Sequence, residues 1–515
     1  MQPFCYALGA IIIKLSMKQI VKSVTIVTLL GILTRILGLV VRIYLSREIG
    51  ATELGIFQVA SSAFFLLCAL VTSGLPLVIS RKIAKEPHKE PSLISSGLIL
   101  SVLIAGAVCL IIICFPKLFT AIWGQEQSFN VLVLLLPALV ATAIYVPYRG
   151  ALWGNKSFFW LSVIELIEQL VRFVCLFVLF LFGSKLFSGA EIAGLATMLA
   201  CLASTLVGIV YYYTHKKQCY NSPSEIKNLL IESAPIATTR ISTSVVSMII
   251  SVMIPALLTL AGHTHEEALA LFGTASGMVI PLLTVPGTVI GSIAIILLPE
   301  LSQSTSTYHD AKIDQAFIVS SLLSLAFVPL YFGVGAGIGE VLYNNSLAGS
   351  LIRVGSFLLL PLGLSQISTS VLNALSKERK CLLFFFISNA LLLVTIAVLT
   401  KPLGIYALVV GFGVMSLCST LLNLFALKKL TSAKFYRATL LMVIFCVPSS
   451  ALAKWMFDLL IIKFKTLYSC VIAGGISMLM FGALCVMFKL VDLSYVFGKV
   501  RRSKKAPKTN FSRAE

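Results

Sequence analysis

Charge is scarce in this sequence: only 12% of its 515 residues are charged, with 20 acidic residues against 40 basic ones. So little ionisable surface excludes a water-soluble globular protein. Metal and redox signatures are also missing, since the twelve cysteines are scattered and form no C-x-x-C pair, and they read as small core hydrophobes. No phosphate-cradling Walker loop is present, which argues against an ATP-driven pump and leaves an ion gradient or the membrane potential as the driving force. A cleaved signal peptide is not expected either, because residues 4–13 are apolar but short and lack a small-residue cleavage site. Met17 is the more natural start, with residues 1–16 an extension or an interfacial anchor. No cofactor and no metal are expected.

Long apolar runs fill the space that charge leaves. Hydrophobic residues make up 58% of the chain and the mean hydropathy is +1.00, and the runs are continuous, which predicts spanning helices and not a barrel of short alternating strands. The chain reads as an all-α polytopic membrane protein of about fourteen transmembrane helices. The length rule places them near 24–45, 56–80, 93–115, 129–149, 158–182, 190–213, 231–260, 271–299, 316–338, 351–375, 381–400, 403–427, 438–458 and 466–488. Of the 40 basic residues, 28 fall in one set of connections and the two tails and 7 on the opposite side. That bias predicts both termini in the cytoplasm. Topology thereby uses the positive charge, and no nucleic-acid partner is expected. The basic tail, 491–515, has no apolar face to bury and is expected to lie against anionic lipid.

The few charges inside the spans are the informative ones. A charge at the centre of a spanning helix costs roughly 2.5–3.5 kcal/mol on the mildest scale, so it usually faces a polar cavity or an opposite charge. Arg35 and Arg42 are two helical turns apart and share a face, about 10 Å from each other along the axis. Arg35 lies near mid-membrane, whereas Arg42 suits either the cavity or a snorkelling anchor, and Arg353 reads as an anchor near the outer surface. Glu165, Glu168 and Arg172 also share a face, and Glu168 with Arg172 forms an i,i+4 pair. Two readings fit them: a self-neutralising strut that fixes helix rotation, or a site that titrates or binds a cation and couples it to a conformational change. Arg240 sits among Thr238, Thr239, Ser242, Thr243 and Ser244, a hydroxyl stripe suited to ligand oxygens or to helix contacts.

A weak internal repeat organises these residues. LLPALVATAIYVPYRGALWGNKS (135–157) and LLLPLGLSQISTSVLNALSKERK (358–380) share an early proline, a small–Ala–Leu triplet and a basic end. Lys22 precedes Arg35 by the same interval as Lys227 precedes Arg240. Two six-helix halves follow: an N-lobe at 24–213 after a cytoplasmic segment 1–23, a linker at 214–230 and a C-lobe at 231–427, with two further helices at 428–490. Such repeats place a substrate site at their interface near the midplane. Pro235, Pro255, Pro281, Pro286 and Pro299 mark where the second half bends. GVGAGIG (333–339) ends an apolar span with no strand before it, so it reads as close helix packing. His263, His265, Glu266 and Glu267 share one outer loop at a spacing unsuited to metal.

TLLGILTRILGLVVRIYLSREIGATELGIFQVASS (28–62), TSGLPLVISRKIAKE (72–86), IEQLVR (167–172), GTASGMVIPLLTVPGTVIGSIAIILLPELSQS (273–304) and GIYALVVGFGVMSLCSTLLNLFALKK (404–429) occur in that order. Together they resemble the stage V sporulation protein B branch of the polysaccharide exporters, in the superfamily of the MurJ lipid II flippase and the multidrug extruders. The resemblance implies two lobes around a cationic cavity and alternating access that turns an undecaprenyl-pyrophosphate-linked sugar across the bacterial cytoplasmic membrane. Arg35 in TRILG matches the flippase pattern's first-span arginine, and Arg42 is displaced by one residue from its second. The span at 271–299 lacks the arginine that branch carries, with Arg240 and Arg172 as substitutes.

The expected function is therefore a flippase for a lipid-linked oligosaccharide of peptidoglycan-precursor type in envelope or spore-cortex assembly, not an enzyme. Two alternatives stand beside it. An ion-coupled drug extruder of the same fold calls for a more acidic and aromatic cavity. A membrane-embedded glycan polymerase or ligase calls for a catalytic outer loop, and the loop at 261–270 alone is rich in ionisable groups.

Overall fold

The computed structural model describes residues 2–72, 74–123, 126–215, 223–291, 306–375, 377–428 and 433–490. Among the described residues all regular structure is helical. The first half comprises α1 (Gln2–Thr72), α2 (Leu75–Lys85), α3 (Glu90–Cys114), α4 (Pro116–Trp123), α5 (Glu126–Gly154), α6 (Phe158–Phe182) and α7 (Gly189–His215). The second comprises α8 (Ile226–Leu260), α9 (His265–Phe272), a π-helical stretch (Gly273–Val279), α10 (Ile280–Leu283), α11 (Ser306–Tyr343), α12 (Ser346–Gly355), α13 (Leu359–Ala374), α14 (Glu378–Leu403) and α15 (Tyr406–Ala426). Two more helices follow, α16 (Ala433–Leu460) and α17 (Thr466–Met487). The tail 491–515 and residues 216–222 of the linker lie outside the described residues, as does Pro299.

Twelve helices among the described residues are long and apolar enough to cross a membrane, against the fourteen expected. Two features account for the difference. Leu29–Lys85 counts once, yet its 57 residues are more than twice what one crossing needs. It is broken at Gly50, where φ is 73°, and again at Gly74, where φ is 86°, both in the region that favours glycine. Phe158–Phe182 has the length to span, at 25 residues, but carries Glu165, Glu168 and Arg172. Large apolar side chains such as Leu103, Phe182, Leu206, Val447 and Leu479 stand exposed around the bundle, as lipid-facing residues do.

The cores reveal how the halves relate. At one end two clusters stand apart: Leu75, Ile79, Leu93, Tyr148 and Leu161 of the first half with Leu229 at the start of α8, and Ile313, Phe317 and Ile367 of the second half with Phe435 of α16. At the other end a single cluster joins the halves, with Leu54 and Val59 of α1 alongside Leu269, Phe272 and Met278. Small residues permit that joint core. A Cβ on Gly55 would strike the Leu269 carbonyl, and one on Gly273 the Ala51 carbonyl, so backbone lies on backbone. Polar contacts cross the same seam: Gln58 Nε2 donates to the Ser276 carbonyl at 3.1 Å, and Ser62 and Ser251 hydroxyls meet at 2.6 Å. Arg47 donates to the Leu342 carbonyl at 2.8 Å and to the Val341 carbonyl, satisfying orphan acceptors at the end of α11.

The opposite end is held differently. Lys82 of α2 pairs with Glu225 at 3.1 Å and Glu232 at 2.9 Å. Glu225 also receives Asn228 Nδ2 at 3.0 Å, and its backbone N–H donates to Ser96 Oγ at 3.1 Å. The start of α8 is thus fastened to α2 and α3. Hydrogen bonds from Asn228 and Lys82 hold the Glu225 carboxyl below the ordinary glutamate range. Near it, Glu90 is 1% exposed and accepts from Asn155 at 2.8 Å and Tyr212 at 3.1 Å.

Candidate functional site: a cavity with one charged wall

A cavity of about 1390 Å³ lies between the halves. On α1 its lining recurs at three- and four-residue steps through Ile32, Arg35, Leu39, Arg42 and Leu45, one face of a helix. On α6 the lining runs through Glu168, Gln169, Arg172 and Leu176. Arg35 and Arg42 therefore share the cavity, as their spacing predicts, and Glu168 and Arg172 join them from a second helix.

Arg172 Nη2 donates to Glu168 Oε1 at 2.8 Å and its Nη1 to Gln169 Oε1 at 3.2 Å. Glu165 lies outside the lining and accepts from Arg149 Nη2 at 2.8 Å. Arg149 does line the cavity and stacks over Trp153 with 5.3 Å to the ring centroid, although its sequence position also suits the basic connections assigned to the cytoplasm. Both Arg149 and Arg172 keep a buried Nε with no acceptor. For Arg35 and Arg42 no ion pair or hydrogen bond is found among the described residues, so two ion pairs neutralise two arginines and leave two cations over.

Arg240 is exposed and does not belong to this lining. It precedes Thr243 by three residues and Ser247 by seven, so it shares their face about one turn closer to the Lys82 end. The reason is positional: the first turns of α8 lie against α2 and α3, and the cavity wall begins only at Thr243. Arg353 is also elsewhere, half-buried, donating to the Phe332 carbonyl at 3.1 Å. The His263–Glu267 loop serves α9 as a capping box, with Thr264 and Glu267 bonding reciprocally. Glycines 335, 337 and 339 sit against Arg353 N, Phe457 and Gly349, at close helix contacts.

The second half presents a different wall. Among the described lining residues it contributes no charge, only hydroxyls such as Thr243, Ser247 and Ser251, the amides of Asn389 and Asn423, and apolar side chains. Every charged residue of the described lining belongs to α1, α5 or α6. Cation selectivity and anion capture would both be decided there.

Comparison with known proteins agrees with this architecture. Stage V sporulation protein B of Bacillus subtilis strain 168 is 24% identical over 354 residues, covering 65% of this chain and 68% of that protein. The solved inward closed conformation of the lipid II flippase MurJ superposes with a TM-score of 0.69 at 15% identity, covering 90% of this chain and 98% of that one. An inward-facing multidrug resistance MATE family transporter of the MOP superfamily follows at TM-score 0.61 and 16% identity, covering 77% and 96%. At such identities the two structures establish the fold. Residues 20–305, more than half of the sequence, match the polysaccharide biosynthesis protein family, and the chain belongs to that family as a multi-pass membrane protein of the flippase and transporter kind.

Proposed function

We propose that the protein flips an undecaprenyl-pyrophosphate-linked oligosaccharide of lipid II type across the bacterial cytoplasmic membrane by alternating access, in cell-wall or spore-cortex assembly. The observation that carries this reading is the uncompensated pair Arg35 and Arg42 in the cavity. Arg35 is exposed and Arg42 half-buried, a cation within a membrane span that lacks a counter-charge is unfavourable, and a pyrophosphate diester, with one negative charge on each phosphate, would supply two. Arginine's planar fork suits phosphate oxygens, and Arg149 and Arg172 also line the cavity. Arg240, at the rim, would meet the headgroup on entry.

With both termini cytoplasmic, the Gly50 end faces outward and the Lys82 end inward. The halves then share a core outside, while inside, among the described residues, only the start of α8 bridges them, an inward-facing arrangement. The N-lobe, 24–213, and C-lobe, 231–427, would rock about that outer seam, driven by a coupling cation or the membrane potential, with the basic tail on anionic lipid. A positive cavity disfavours a cationic drug as cargo.

Lipid II translocation in reconstituted vesicles tests this. Arg35→Ala and Arg42→Ala should each slow flipping at least tenfold at equal incorporation, and normal rates in both would refute the reading.

A further inference from the structure

The uncharged wall has a feature that helix packing does not explain. Serine and threonine on membrane helices usually bond a carbonyl of the preceding turn, and on α14 Thr395 and Thr400 do so, at 2.7 and 2.6 Å. Ser388, on the same helix and lining the cavity, does not: its Oγ is buried and has no partner. The residue is 1% exposed. Across from it on α15, Asn423 is equally buried. Its Nδ2 is committed to Ser368 and Thr369, each at 3.0 Å, while its Oδ1 has no donor. Asn389, next to Ser388 on α14 and also in the lining, gives one amide proton to the Phe385 carbonyl at 2.8 Å. A buried polar atom without a partner is unfavourable, and here two of them border one cavity.

The chemistry of this wall narrows what would satisfy it. A metal ion or an ammonium would call for a carboxylate, and a phosphate for a cation; the described lining on this half offers neither. It offers an acceptor, a hydroxyl and an amide, with the rings of Phe385 and Phe412 also in the lining. Neutral hydroxyl and acetamido groups match the first set, and the C–H face of a pyranose matches the rings. We propose that Ser388, Asn389 and Asn423, flanked by Phe385 and Phe412, form a subsite for the uncharged sugar of a lipid-linked saccharide. The inference rests on the flippase reading and adds a division of labour to it: one half holds the pyrophosphate, the other reads the glycan.

Two probes separate these claims: undecaprenyl pyrophosphate, and the same lipid carrying a peptide-free disaccharide. Their affinities are measured by native mass spectrometry on the full chain in nanodiscs. Ser388→Ala removes an oxygen that holds nothing in the protein, so folding is spared, and Ser388→Ala/Asn389→Leu removes a second polar group. The double variant should weaken the disaccharide lipid about tenfold, or ~1.4 kcal/mol, and leave the bare pyrophosphate lipid unchanged. Arg35→Ala should weaken both. An unchanged disaccharide affinity overturns the subsite, as does an equal loss on both probes or an effect confined to sodium-dependent melting. If the wild-type protein binds neither lipid, the flippase reading itself fails and takes the subsite with it.

Discussion

Arg149 and Glu165 face each other across the α5–α6 hairpin, Nη2 to Oε1 at 2.8 Å. Each stands eight residues from Ser157, so the antiparallel turn brings them to the same height. Their side chains are 39% and 45% exposed, and pairs in such surroundings contribute at most about 1 kcal/mol to stability. Arg149→Gln should therefore melt within a few degrees of the wild type yet slow flipping, because it removes a cation from the cavity. A large fall in melting temperature with unchanged flipping would reverse that assignment.

Glu168 and Arg172 allow the strut and the switch to be told apart. As a strut, either single change to glutamine strands a charge and destabilises the bundle by about 1–3 kcal/mol, and the double change recovers part of the loss. As a switch, Glu168→Gln keeps its melting temperature and loses the response of transport to an imposed cation gradient. Thermal unfolding and transport with and without that gradient, measured on the three variants, decide between them.

Gly55 and Gly273 have no room for a side chain where the halves touch. Gly55→Val should separate the outer seam and populate an outward-open form. Cysteines introduced into the cavity would then react faster with an impermeant thiol reagent added outside. Unchanged labelling would show that the seam tolerates the bulk.

The Glu225 clasp has a defined pH response. Its carboxyl is held below the ordinary range by Asn228 and Lys82, so the charged form stabilises the contact above the ordinary glutamate pKa. That stabilisation disappears as pH falls through the lowered value. Hydrogen exchange in 223–233 should rise on acidification below about pH 4, and Lys82→Met should blunt the rise. Exchange that ignores pH in both proteins would exclude Glu225 as the cause.

Glu90 is a buried acceptor for two helices. Glu90→Ala leaves Asn155 and Tyr212 without it and should cost about 2–4 kcal/mol in stability, with Glu90→Gln milder. Denaturant or thermal unfolding of the two variants checks the order.

Much of this was legible in the residues. Fully apolar runs announce lipid-facing helices because no other solvent accepts them, and the seven-residue interval from Arg35 to Arg42 fixes a shared face without knowledge of neighbours. Arg149 escaped because its place near a basic turn fits the topology count as well as a cavity does, although symmetry of the hairpin about Ser157 would have exposed its partner. Arg240 has the right face but sits a turn too far along, and only the docking of α8 on α2 and α3 sets that depth. The neutral wall was invisible for a further reason: whether a serine bonds its own helix is a property of geometry, not of composition.

Because the charged residues among the described lining all belong to one half, an anionic headgroup would not have to cross from one set of cations to another during the cycle. Its electrostatic well is carried along by a single rigid body, like a passenger fixed to one leaf of a revolving door. If the halves rock as proposed, the neutral face would be what sweeps past it, and the rate of translocation should respond to glycan structure far more than to ionic strength.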